Sequence, residues 1–282
     1  MAKEFNQVLL NFQKLVGKEI EKFFKQKIEK TAAPFEREVF NWLKEYSLRP
    51  AKRIRAILVN YGYFLAGGKN KQAILQASIF IELIHNYLLI HDDIIDKDEM
   101  RRGGKTLHYL YGQDMAMGAG DMASALGYEV LTSCPFPSEY KIKAINKINQ
   151  TLSSTCYGQM LELKLREKKK FTKKSLLEMY KRKTAFYTLV APLQVGALLA
   201  GADEKFLKKI EKFALPLGIG FQIRDDIQDG DIEKTFGFKK EKYQKLLEKF
   251  VAQAKKSLRS EKTFPISEKE FLLNLADYTK LI

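Results

Sequence analysis

The sequence predicts an all-α protein. Apolar residues recur three and four positions apart through most of the chain, proline and glycine are sparse at 7 and 17 of 282 residues, and no segment alternates apolar and polar side chains long enough to make a strand. The 45% hydrophobic content can fill a substantial core at this length. No proline-, glycine- or serine-rich linker divides the chain, so one helical bundle spanning residues 1–282 is expected.

The first helix is expected over residues 5–30, where Val8, Leu9, Phe12, Leu15 and Val16 form one stripe. Further helices follow over 35–46, 51–66 and 71–98, with Gly67-Gly68 punctuating the last two. Arg102-Gly103-Gly104 closes the fourth, and a helix over 121–131 ends before Cys134-Pro135-Phe136-Pro137. Helices over 138–166, 172–200, 204–229 and 239–259, and a last one from 268 to the end, complete the pattern, with Gly201-Ala202-Asp203 as the clearest break.

The formal net charge of +15 raises nucleic-acid binding. The lysines are spread along the chain, however, and runs such as Lys168-Lys169-Lys170 and Lys239-Lys240 read as solvated helical faces. No nucleic-acid partner is expected, although such a charge also attracts small anions and membrane surfaces. Cys134 and Cys156 share no metal-ligand spacing, which points to free thiols in a reducing, cytoplasmic compartment. Charges run throughout residues 1–20, so no secretory signal is expected. The stretch 184–202 is uncharged and near spanning length, but Thr188, Pro192, Gln194 and Gly196 interrupt it, and it reads as a buried helix rather than a membrane span.

Two short acidic runs carry the chemistry. Asp92-Asp93-Ile94-Ile95-Asp96 and Asp225-Asp226-Ile227-Gln228-Asp229 each close a long apolar stretch. Positions four apart share a helical face, so Asp92 pairs with Asp96 and Asp225 with Asp229. Two such faces aimed at one another would make an oxygen-lined site for Mg²⁺, which is typically held by a few carboxylates together with substrate phosphates and water. That describes a diphosphate site. His85 lies seven residues before Asp92, nearly on its face and about two turns below. Arg101 and Arg102 follow the first motif, and arginine suits diphosphate through its planar, permanently charged fork. Gln222 is a polar residue in an apolar run before the second motif. Lys52 and Arg55, three apart, would be neighbours on a helical face, and Lys183-Thr184 opens the uncharged stretch.

With these residues in place the chain resembles the trans-prenyltransferases, the polyprenyl (isoprenyl) diphosphate synthase family. Asp92 to Asp96 with Arg101-Arg102-Gly103-Gly104 resembles its first aspartate-rich motif, and Gly218 to Asp229 its second. Lys183-Thr184-Ala185 and Gly158-Gln159 resemble two further motifs. The resemblance covers residues 52–229. It implies a helical bundle around a deep central cavity (the isoprenoid synthase fold), usually a homodimer, that condenses isopentenyl diphosphate head-to-tail with an allylic diphosphate. It further implies that Lys52, Arg55, His85 and Arg102 hold isopentenyl diphosphate. Arg101, Lys183, Thr184 and Gln222 would contact the allylic diphosphate, with Lys183 and Arg101 as catalytic residues. Asp92, Asp96, Asp225 and Asp229 would hold Mg²⁺, as three ions. A cytoplasmic enzyme with peripheral membrane contact for product release is the matching expectation.

This chain departs from the family pattern in places. Ala51 replaces the usual glycine before Lys52, Gln159-Met160-Leu161-Glu162 replaces Gln-x-x-Asp, and Phe238 stands where a lysine is usual, with Lys239 beside it. Tyr87 and Leu88 precede Asp92 by about 7.5 and 6 Å of helix axis. In the family these two positions limit product length, and an aromatic at the earlier one resembles short-chain members, so C15–C20 products are expected. Two rivals within isoprenoid chemistry are a non-catalytic partner subunit of a heteromeric synthase and a class I terpene cyclase. The partner subunit typically loses aspartates, and the cyclase needs neither two complete motifs nor a second basic site.

Overall fold

The computed structural model describes residues 2–168 and 171–280, and it is helical almost throughout. Lys169, Lys170 and the last two residues of the expected C-terminal helix lie outside that range. Thirteen α-helices and one two-stranded hairpin are present among the described residues. By proximity the chain forms two compact units, one of residues 6–60 and 70–136, the other of residues 1–5, 61–69 and 137–282.

The unit of residues 6–60 and 70–136 is organised by α4 (Lys71–Asp96). Asn70 caps it by accepting from the Ala73 amide at 3.0 Å, and Lys97 ends it in a left-handed conformation. Helix α4 packs mainly on α6 (Gln113–Ser133), and more lightly on α2 (Pro34–Leu48) and α5 (Leu107–Tyr111). Helix α1 (Ala2–Lys30) buries Phe5, Leu9, Val16, Ile20 and Phe24, each contributing roughly 1.5–3 kcal/mol by leaving water. The expected stripe was off by one position: Leu15 is exposed.

In the other unit α10 (Glu204–Asp229) is central, flanked by α12 (Lys240–Ser260) and by a π-helical segment, Tyr180–Val190. That segment joins α8 (Lys173–Met179) to α9 (Ala191–Leu199), so the expected helix over 172–200 exists but is underwound to a wider spiral at its middle. Helix α7 (Ser138–Lys168) packs on the π segment and on α9, and α13 (Ile266–Tyr278) on α12.

Two expectations are corrected. The helix expected from residue 51 begins only at Ile54 (α3, Ile54–Leu65), because Arg53 adopts φ +52°. Lys52 therefore lies in the segment before the helix rather than on its face. Helix α5, the four-residue α11 (Asp231–Lys234) and the hairpin of β1 (Met100–Arg101) with β2 (Gly104–Lys105) were not foreseen. The stretch 184–202 is largely buried, as expected. Among the described residues α4 is the helix long and apolar enough to cross a membrane, and 72% of its most apolar window is buried in the fold.

Candidate active site

The first acidic run ends α4, and the hairpin after it turns two arginines back. Met100 pairs with Lys105 and Arg101 with Gly104, leaving Arg102 and Gly103 as the two-residue loop. Both have positive φ, +53° and +81°, the signature of a type I′ turn. Glycine tolerates this; an arginine there is strained, and such strain gathers at functional sites. Arg49 braces the loop, donating to the Arg101 carbonyl at 3.1 Å and the Lys105 carbonyl at 2.8 Å.

Arg101 is held by two carboxylates: its Nε donates to Asp93 Oδ1 at 2.6 Å and its Nη2 to Asp98 at 2.7 Å. Burial lowers its pKa, but Asp93 outweighs that and the net shift is upward. Arg102 is different. Burial and the neighbouring Arg53 and Arg55 push its pKa down despite the opposing pull of Glu82, and its buried Nη1 has no hydrogen-bond partner. A desolvated guanidinium among like charges is a preformed place for an anion.

Arg53 is itself buried, paired with buried Glu82 at 3.2 Å and donating to the Ser47 and Arg49 carbonyls. It anchors the segment that carries Lys52 and leads into Arg55. Arg55 Nη1 lies 3.0 Å from His85 Nε2. A guanidinium can only donate, so Nε2 accepts and the imidazole proton sits on Nδ1. Burial, then Arg55, Arg102, Arg53 and Arg101, hold His85 well below the usual histidine range. The four arginines and this neutral histidine form one basic cluster within the unit.

That shift has a measurable consequence. The folded pKa lies below the unfolded one, so the unfolded chain takes up the His85 proton first as pH falls. Stability is therefore eroded below about pH 6.5, near the unfolded pKa. His85→Gln is expected to flatten the fall in Tm between pH 6.5 and 5, and the His85 imidazole signals should not titrate from pH 8 to 6 by NMR. A His85 imidazole titrating near pH 6.5, assigned by its loss in His85→Gln, would contradict this.

The second acidic run ends α10. Gly158 of α7 and Gly218 of α10 let the π segment approach on both sides: a Cβ at Gly158 would sit 2.5 Å from the Lys183 amide, and one at Gly218 2.7 Å from Ala185 Cα. Lys183 and Thr184 are thus clamped by backbone contact. Lys183 Nζ meets Glu162 at 2.5 Å, and Thr184 donates to Gln222 at 2.7 Å. Glu162, almost wholly buried, also takes Arg166 at 2.6 Å. Burial works against its charge, but Lys183 and Arg166 hold its pKa below the carboxylate range. These residues, with Asp226, Asp229 and Asp231, line a cavity of about 140 Å³.

Asp225 accepts from buried Arg224 at 2.5 Å. Burial, Asp225 and Asp231 together raise the Asp229 pKa. Crowded carboxylates of this kind are relieved by a divalent cation. Among the described residues no three of His, Cys, Asp and Glu are grouped closely enough to hold a metal by themselves. Two carboxylates per motif nevertheless suit Mg²⁺, which commonly binds through one or two carboxylates, water and substrate phosphate. The residues present therefore fit that ion with a diphosphate, and do not fit a closed all-protein cage.

A family model described as polyprenyl synthetase matches residues 37–241. The chain belongs to that family. A geranylgeranyl pyrophosphate synthase of Geoglobus acetivorans is 32% identical over 82% of this chain and 71% of its own length. A farnesyl diphosphate synthase of Buchnera aphidicola is 34% identical over 71% of each chain. With a Methanosarcina mazei geranylgeranyl diphosphate synthase the identity is 35%, over only half of that protein. The solved structure of the Geoglobus acetivorans geranylgeranyl pyrophosphate synthetase superposes with a TM-score of 0.85 at 26% identity, covering 98% of this chain and 100% of that one. The all-α fold is that of the isoprenoid synthases.

Sequence reasoning missed Tyr46, Arg49, Arg53, Glu82, Arg166 and Tyr180 as parts of these clusters. Only Glu82 left a readable signal, a charged residue inside the apolar run of α4 that needed a buried partner.

Proposed function

We propose that this chain is a Mg²⁺-dependent, short-chain prenyltransferase. It joins isopentenyl diphosphate to an allylic diphosphate (dimethylallyl, geranyl or farnesyl) and releases a C15–C20 prenyl diphosphate, geranylgeranyl or farnesyl diphosphate. The observation that carries the reading is the cluster of Arg53, Arg55, Arg101 and Arg102 around neutral His85, with a buried guanidinium nitrogen of Arg102 awaiting an acceptor. Family membership supplies the reaction class.

In this reading Lys52, Arg55, His85 and Arg102 bind isopentenyl diphosphate. Arg101, Lys183, Thr184 and Gln222 take the allylic diphosphate, and Asp92, Asp96, Asp225 and Asp229 hold Mg²⁺, three ions in all. When the allylic C–O bond breaks, the departing diphosphate gains negative charge, and fixed cationic donors stabilise it without reorganising. Mg²⁺ held by these aspartates would supply Lewis-acid stabilisation of that developing charge. The isopentenyl double bond attacks the carbocation, and the proton lost goes to the diphosphate, so no protein nucleophile is needed.

The family match runs through residues of both compact units, which supports a single catalytic domain over residues 1–282. Exposed Tyr109, Leu110, Met115 and Met117 on α5 and α6 support a homodimer, since such surfaces are commonly covered. The +15 charge supports peripheral contact with an anionic membrane during product release from a cytoplasmic enzyme.

The test is incubation of purified protein with Mg²⁺, isopentenyl diphosphate and each of the C5, C10 and C15 starters, followed by chromatography of the dephosphorylated products. A C15 or C20 prenol that disappears with chelator is expected. No elongation from any starter would favour the non-catalytic subunit, and a cyclic product the terpene cyclase. Tyr87, half-buried with its ring 4.6 Å from that of His91, is read with Leu88 as the floor of the growing chain. Tyr87→Ala is therefore expected to shift the main product beyond C20, and an unchanged product length would remove Tyr87 from that role.

A further inference from the structure

Tyr46 and Tyr180 head the fully buried side chains in size, and each spends its hydroxyl in the same way. Tyr46 OH donates to Asp93 Oδ2 at 2.8 Å, while Asp93 Oδ1 accepts from Arg101 Nε at 2.6 Å. Tyr180 OH donates to Asp226 Oδ2, while Asp226 Oδ1 accepts from Gln222 Nε2 at 2.6 Å. Asp93 and Asp226 are the middle aspartates of the two acidic runs, and they are 1% and 5% exposed. Both oxygens of each are occupied from within the protein, unlike the flanking aspartates of the same runs, which are partly or fully exposed.

The two halves of the chain thus contain one device twice: a buried tyrosine, a middle aspartate, and a donor assigned above to the allylic diphosphate. In the second copy the line extends one step, because Gln222 Oε1 also accepts from Thr184. We propose that Tyr46 and Tyr180 are positioning residues for allylic diphosphate, acting through Asp93 on Arg101 and through Asp226 on Gln222 and Thr184. A carboxylate that kept a free oxygen could rotate and carry its donor along. The buried hydroxyl removes that freedom, fixing the donor before the diphosphate arrives. The proposal rests on the functional reading above for the identity of the ligand, and not for the geometry.

The experiment uses Tyr46→Phe and Tyr180→Phe, which keep the ring in the core and delete only the hydroxyl. Groups that orient a ligand-binding side chain usually cost 10–100-fold when removed. Each variant is expected to raise the KM for allylic diphosphate by roughly that factor, leaving the KM for isopentenyl diphosphate within about twofold. The same selective loss is expected by calorimetry for inorganic pyrophosphate with Mg²⁺, against isopentenyl diphosphate without Mg²⁺ as control. Equal weakening of both ligands, or a lowered Tm with unchanged binding, would overturn the proposal, because a merely structural role predicts either. Should a phenylalanine variant fail to fold, Asp93→Asn and Asp226→Asn test the device from its centre. An amide keeps an acceptor for the tyrosine and cannot also accept from Arg101 or Gln222, so the same selective loss is expected. If wild-type protein binds pyrophosphate but elongates no starter, the functional reading fails while the calorimetric comparison still decides this one.

Discussion

Asp92→Ala is expected to lower kcat about 1,000-fold or more with saturating Mg²⁺, with little change in Tm. Asp92 and Asp96 occupy one face of the last turn of α4 and remain at least partly open to solvent, whereas Asp93 between them is enclosed. Removing Asp92 therefore takes away a carboxylate proposed to hold Mg²⁺ and leaves the Tyr46–Asp93–Arg101 line intact. Metal stabilisation of a leaving group is worth several kcal/mol, and about 4 kcal/mol corresponds to three decades in rate. Asp93→Ala is the instructive contrast. It strands a buried tyrosine hydroxyl and part of the Arg101 charge, so it should lose stability as well as rate. Steady-state assays over a range of Mg²⁺, paired with calorimetric melting, distinguish the two. A kcat for Asp92→Ala within tenfold of wild type would remove that aspartate from the metal site.

How much of this could be read beforehand follows the range of the interactions. The long helices were legible because amphipathic periodicity and capping residues act over a few positions. Glu204–Asp229 matches its expected bounds, with Asp203 capping the Phe206 amide at 2.8 Å. The aspartate runs were legible for the same reason, since a spacing of four already places two carboxylates on one face. What escaped notice depends on partners distant in sequence. Tyr46 lies 47 residues from Asp93 and Tyr180 46 residues from Asp226, and nothing local marks either tyrosine. The π segment depends on Gly158 and Gly218, on two other helices, admitting its backbone, which periodicity cannot register. The hairpin depends on Arg102 accepting a left-handed conformation, where glycine or asparagine would have been the readable sign.

Lys183→Ala is expected to cost about 100- to 1,000-fold in kcat, the usual effect of removing one fixed donor from a developing oxyanion. The structure adds a second consequence. Lys183 is one of two cations on buried Glu162, at 2.5 Å, and Arg166 is the other, at 2.6 Å. Breaking a buried pair from one side typically destabilises by about 3–5 kcal/mol, because the remaining charge stays desolvated. Arg166 keeps part of that charge compensated, so the loss of stability should fall short of the full figure. The two effects can be separated genetically. In Lys183→Ala combined with Glu162→Gln the uncompensated charge is gone while the cation is still missing, so Tm should recover and kcat should not. Recovery of both together would mean that Lys183 acts only by holding the π segment to α7. Recovery of neither would mean that its ammonium, and not the Glu162 charge, sustains that packing.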